Sequence, residues 1–206
     1  YFFPANALAG VIFFIWAMYF TPLGVWGFNP LYLTGIQVDN LPIEEILFFF
    51  CVPYASLFTY HALNTLVKAP FWSKNQTIAI ISNTLIILLA IVGLLNLSKL
   101  YTSVTFISLS IFIALHRFYW KSDFLGRFYL GFVAILLPFF ISNGILTGSF
   151  IPQEIVWYNN HQNLGIRMAT IPIEDTFYGM LLLLLNVTFF EWLKNKDQSK
   201  NSATPQ

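Results

Sequence analysis

Two adjacent carboxylates stand at the head of an apolar run, and the arrangement occurs twice. The first copy is Leu41-Pro42-Ile43-Glu44-Glu45 and the second is Ile171-Pro172-Ile173-Glu174-Asp175. Charge at the edge of hydrocarbon is costly, so such a pair either starts a helix or does chemistry. Residues i and i+1 of a helix project about 100° apart, so one member can cap free amides while the other turns toward the bundle. Two carboxyl groups in such unlike surroundings can divide the work of general acid and general base. Pro42 and Pro172 suit the first helical turn, where a missing N–H costs nothing, which puts Glu44 and Glu174 near the third helical position. Helix capping would account for one such motif. The doubling, and the long loop before each copy, favour a reaction centre. The catalytic candidates are Glu44, Glu45, Glu174 and Asp175.

The surroundings of these motifs are those of a membrane protein. Of 206 residues 57% are hydrophobic, 19% aromatic and only 9% charged, whereas a soluble domain carries roughly 25% charged residues. An integral, all-α membrane protein is expected. A net charge of +1 gives no electrostatic case for nucleic acid. The single cysteine, Cys51, excludes a disulfide framework. About 20 apolar residues cross a bilayer as a helix. Six segments qualify: Tyr1 to Phe20, Pro42 to Val67, Thr77 to Leu97, Leu100 to Trp120, Phe128 to Thr147 and Pro172 to Leu193. The polar tail, Lys194 to Gln206, reads as disordered.

Basic residues orient the chain. With six alternating helices, Lys68, Lys74, Arg117, Lys121, Arg127, Lys194, Lys196 and Lys200 share one side, against Lys99 and Arg167 on the other. That predicts a cytoplasmic C-terminus and two outer loops, Thr21 to Leu41 and Gly148 to Ile171, each ending in an acidic motif. An internal repeat accompanies this. Phe13-Phe14-Ile15 matches Phe139-Phe140-Ile141 at an offset of 126, and Val25-Trp26 matches Val156-Trp157 at 131. The domain reading is one transmembrane unit over 1–193, with repeat one at 1–67, a connecting helix at 77–97, repeat two at 100–193 and the tail at 194–206. Both repeats enter the membrane in the same direction, so an axis along the membrane normal relates them and gathers four carboxylates at their interface.

Other polar residues refine the expectation. Asn143 lies within the fifth segment and aligns with Ala17. Arg167 comes shortly before the second motif and is a candidate partner for Glu174 or Asp175. His61, His116 and His161 share no metal-ligand spacing, so no metal is expected. There is no GxGxxG, P-loop or GxSxG motif, and no cofactor is implied. The reaction would rest on acid/base groups and an apolar cavity whose aromatic faces stabilise a cation. Two other classes compete. A carotenoid- or retinal-binding protein is one, but no lysine sits mid-helix for a retinal Schiff base. A transporter built of parallel repeats is the other, and only the repeat supports it.

The motifs carry a family resemblance. Gly24-Val25-Trp26-Gly27-Phe28-Asn29-Pro30 with Asn40-Leu41-Pro42-Ile43-Glu44-Glu45 resembles the first half of the flavin-free, membrane-type lycopene cyclases. Val156-Trp157-Tyr158-Asn159-Asn160, Asn163-Leu164-Gly165-Ile166-Arg167 and Pro172-Ile173-Glu174-Asp175 resemble the second half. That family occurs as two small subunits, as one fused chain and as a domain of fungal bifunctional enzymes, and this chain is similar to the fused bacterial form. The resemblance implies redox-neutral closure of β-ionone rings on the ψ ends of lycopene or a related linear carotenoid, in a prokaryotic cytoplasmic membrane, with membrane lipid around it. It implies Glu44, Glu45, Glu174 and Asp175 as the acid/base set, with Ala17, Trp26, Asn29, Asn143 and Arg167 at the substrate pocket. Lateral entry between helices and association as a homo-oligomer are compatible with it. The chain departs from the family in two ways. The family carries a further helix ahead of this sequence, seven in all. It also has Trp-Asp where this chain has Trp16-Ala17.

Overall fold

The computed structural model describes residues 1–67 and 75–202. The described residues are mostly helical (71%), and among them six helices are long and apolar enough to cross a membrane. They are α1 (Phe2–Phe20), α2 (Ile43–Leu66), α3 (Asn75–Leu95), α4 (Leu100–Ala114), α5 (Leu125–Leu146) and α6 (Ile173–Ser202). The protein is an all-α, multi-pass membrane protein. Helix α6 packs against α1, α2, α4 and α5, while α3 lies outside, packed on α4. The core runs through Phe13, Phe49, Leu109, Ile113 and Leu184. Without a hydrophobic drive between helices in lipid, polar ties help fix them. The Asn186 amide donates to Asn6 Oδ1 at 3.0 Å and the Asn6 amide to the Phe50 carbonyl at 2.7 Å, linking α6, α1 and α2.

Three expectations need correction. The tail is not irregular from Lys194: α6 continues through Ser202. Extending an existing helix avoids the nucleation cost, so a polar sequence can follow an apolar one in helical form, and Lys194 pairs with Glu191 at 3.9 Å on its surface. The last four residues, and Lys68 and Lys74, lie outside the described residues. The fourth span is not one uniform α-helix: after Ala114 it widens into a π-helical turn, Leu115–Tyr119. His116 sits in that turn, with Nδ1 2.8 Å from Ser122 Oγ and Nε2 2.9 Å from Thr188 Oγ1. Finally, Pro42 is not the first helical residue. It is extended (φ −68°, ψ 148°) and helix α2 begins one residue later.

The outer loops carry short strands. β1 (Trp26–Phe28) pairs antiparallel with β4 (Val156–Tyr158), joining the first loop to the second. Within the first loop β2 (Gln37–Val38) pairs with β3 (Leu41–Pro42), and within the second β5 (Arg167–Met168) pairs with β6 (Ile171–Pro172). Each hairpin turns through a residue in the left-handed region, Asp39 (φ 57°) and Ala169 (φ 55°). In each half the first residue of the motif helix is tied back to its loop: Ile43 N–H donates to Ile36 O and Ile173 N–H to Ile166 O, both at 3.0 Å.

Candidate active site

The two members of each acidic pair part company. Glu44 Oε1 accepts from the Thr34 N–H at 2.7 Å. Glu174 Oε1 accepts from the Leu164 N–H at 2.7 Å and from the Thr102 hydroxyl at 2.6 Å. The next loop residue in each case is a glycine in the left-handed region, Gly35 (φ 84°) and Gly165 (φ 73°), which swings the preceding amide onto the carboxylate. Because Pro42 and Pro172 end strands rather than open helices, Glu44 and Glu174 stand at the second helical position. They bind the loops more than the helix ends. Neither lines the cavity described next.

Glu45 and Asp175 do line it. The cavity holds about 460 Å³ between α2, α5 and α6, within the range of small-molecule sites. Its wall on α2 runs from Glu45 to Thr59, roughly 20 Å of helix. Apolar groups such as Phe48, Val52, Phe132, Ile135, Leu182 and Leu183 line the inner part. The outer end is polar and aromatic, with Trp26, Tyr101, Tyr158, Tyr178 and Asn143 beside the two carboxyls. Cys51 and Ala55 of α2 and Pro138 and Ser142 of α5 lie on the wall and are exposed, so the cavity opens sideways between these helices. Both helices carry an internal proline, Pro53 and Pro138, which interrupts backbone bonding beside the opening.

Asp175 is held on every side. Tyr101 donates to Oδ1 at 2.7 Å, Tyr158 donates to Oδ2 at 2.9 Å and the Asn143 amide donates to Oδ2 at 3.3 Å. The two phenol rings stack with centroids 5.9 Å apart and planes 13° apart. Trp26 stands edge-on to Tyr101 at 5.3 Å, and Tyr178 lies 5.9 Å from Trp26. Burial, and then the neighbouring Asp175 charge, push the Tyr158 hydroxyl well above its ordinary range. It therefore remains a donor. Glu45 interacts electrostatically with Asp175 but makes no hydrogen bond among the described residues.

The remaining pocket candidates divide. Trp26 and Asn143 are on the wall. Asn29 is not: its side chain accepts from Leu31 N–H and donates to the Glu154 carbonyl at 3.2 Å, tying the two outer loops. Ala17 is fully buried in the core cluster, off the wall. Arg167 is not paired with Glu174 or Asp175. Its guanidinium donates to Thr170 O and Asn160 Oδ1, both at 2.9 Å, and lies 5.7 Å over the Tyr158 ring. The β5–β6 register sets Arg167 opposite Pro172, and its reach is spent on the hairpin's own carbonyl. The sequence reading missed Tyr101, Thr102, Tyr158 and Tyr178. Tyr101 and Thr102 open an apolar helix with polar groups, the same feature that marked the acidic motifs. Tyr158 follows the Val156-Trp157 repeat.

The fold and cavity define a class: a multi-pass membrane protein with two carboxyl groups at one end of an apolar, laterally open cavity. The lycopene cyclase family model matches residues 1–63 and 98–193, most of the chain. The chain belongs to the lycopene cyclase family. No curated protein and no solved structure matches it. Family membership supports carotenoid cyclisation and a carotenoid substrate.

Proposed function

We propose that the chain closes β-ionone rings on the ψ ends of a linear carotene such as lycopene, with Glu45 as acid and Asp175 as base. The observation that carries this is the meeting of Glu45 and Asp175, one from each half, at the outer end of one apolar cavity. Glu45 gives its proton to the terminal alkene, leaving a tertiary cation. The neighbouring double bond supplies the electron pair for the ring bond, which moves the positive charge into the ring. Asp175, ringed by donors and with no proton to give them, takes a ring proton, and the C–H pair becomes the ring double bond. One proton enters and one leaves, so no electron acceptor is needed. The faces of Trp26, Tyr101 and Tyr178 stabilise the cation. The apolar wall keeps water from capturing it.

Glu44 and Glu174 hold the loops over the site rather than exchange protons. The carotene enters from lipid through the opening between α2 and α5. The two halves act as parallel repeats of a single unit, as in the fused form of the enzyme. The basic residues of the Arg117 to Arg127 segment and of the end of α6 support a cytoplasmic C-terminus, in a prokaryotic cytoplasmic membrane. The test is expression in a lycopene-producing host with chromatography of the pigments. Monocyclic and bicyclic carotenes are the expected result. Unchanged lycopene that co-purifies with the protein would make it a carotenoid binder instead.

A further inference from the structure

Ring closure leaves a cation with three different neighbouring protons to lose. Loss from the ring carbon that bears the polyene gives the β ring. Loss from the ring methylene on the other side gives the ε ring. Loss from the methyl group gives an exocyclic double bond. The three products have one formula and form from one cation, so where the base sits decides among them. The competing hydrogens sit on three carbons that all adjoin the cationic centre, and a displacement of the base by about 1 Å is large enough to change rates by about 10²-fold, so a mobile base would draw on more than one of them.

Asp175 lacks that freedom. Its donors come from three elements: Tyr101 from α4, Tyr158 from β4 and Asn143 from α5. Two of the donors, Tyr101 and Tyr158, are tied to further groups. The Tyr101 N–H donates to the Gln162 carbonyl at 2.9 Å. The Tyr158 ring stacks with the Tyr101 ring and has the Arg167 guanidinium, held by Thr170 and Asn160, 5.7 Å from its centroid. Glu45, on the same wall, has no such support.

We propose that Tyr101 and Tyr158, with Asn143, aim the Asp175 carboxylate at a single proton of the ring cation and so determine the position of the ring double bond. This rests on the cyclase reading given above. The proton passes from ring carbon to Asp175, and Tyr101 and Tyr158 keep theirs throughout. They are positioning residues. The guanidinium of Arg167 against the Tyr158 ring makes it the outermost member of the same set.

The experiment compares wild type with Y101F and Y158F in proteoliposomes containing lycopene, separating ring isomers by chromatography and assigning them by NMR. Phenylalanine keeps the ring stack and removes only the donor. Wild type is expected to give one ring isomer. Each variant is expected to raise the minor isomers about 10-fold, with kcat lowered and KM for lycopene unchanged. Loss of packing alone would slow turnover without altering the isomer ratio. Variants that are slower or unchanged but as pure as wild type in ring type would overturn the proposal and leave the cyclase reading standing. No ring from wild type would remove both. Should Y101F fail to accumulate, Y158F and Asn143→Leu carry the same comparison.

Discussion

The two halves place their acidic motifs in the same way and then use them differently. In both, the first carboxylate accepts a loop amide ten residues upstream at 2.7 Å, and the helix is tied back to its loop at 3.0 Å. In the second half the next carboxylate, Asp175, is surrounded by donors. In the first half Glu45 has none among the described residues. The matched positions explain this. Asn143 aligns with Ala17, which has no donor to offer. Tyr158 aligns with Gly27, and a Cβ there would run into the Trp157 ring across the β1–β4 pair, so that ring occupies the space a side chain at position 27 would need. The proposed ring closure, with Glu45 as acid and Asp175 as base, tolerates the asymmetry. Protonating the terminal alkene has one stable outcome, the tertiary cation, so the acid needs little aiming. Removing the proton has three, so the base needs a great deal.

The comparison can be broken most severely at the second carboxylates. Glu45→Gln removes the proposed acid and Asp175→Asn the proposed base. Each is expected to lower ring formation by about 10²- to 10⁴-fold, the usual scale of general acid/base catalysis, while the protein still inserts and folds. Lycopene turnover in membranes measures this, and wild-type rates in either variant would refute the assignment. Next come the first carboxylates, where stability should respond. Glu174 is fully buried and accepts two hydrogen bonds. Glu174→Ala leaves both donors unpaired and is expected to cost about 1.5–3 kcal/mol, the range for hydrogen bonds to charged groups. Glu44→Ala, at a more open position, should lower the unfolding temperature in detergent by less; the reverse order would contradict the clamp reading. The smallest effect is at the hairpin turns. Ala169→Gly relieves a left-handed alanine and should stabilise by about 1 kcal/mol. Asp39→Gly should change little, since aspartate tolerates that conformation. Thermal unfolding of the two variants side by side checks the difference.

The helices were legible because lipid demands long apolar runs, and their ends fell within a few residues of expectation except in α6, which continues past Leu193 to Ser202. The strands were not. Segments of two or three residues carry no periodicity, and β1 meets β4 across the length of a repeat, which only the packed bundle dictates. The acidic motifs were legible as pairs, and in each the two members face different surroundings. Which member faced inward depended on whether the proline opens the helix or ends a strand. Pro42 and Pro172 end strands, and that single step sets Glu44 and Glu174 on the loops. Arg167 misled for a related reason: proximity in sequence to two carboxylates suggested a charge pair, but hairpin geometry brought a carbonyl closer. Tyr101 and Tyr158 carried only local marks among ten tyrosines, a polar helix start and a place after a repeated pair, and neither mark names Asp175, which lies on another element. Their hydroxyl contacts with Asp175 span 74 and 17 positions of sequence.

The pairing of Trp26–Phe28 with Val156–Tyr158 has a consequence for inheritance as well as for shape. Each strand alone would leave a row of backbone amides and carbonyls unmatched, and each supplies the other's missing edge. The wall beside the two carboxyls is thus a joint property: Trp26 arrives with one half, Tyr158 with the other, and the seam between them runs past Asp175. Neither half owns a finished pocket. Drift in one loop is read out at the carboxylate of the other half, so the two stretches are bound to change in step whether or not a peptide bond connects them.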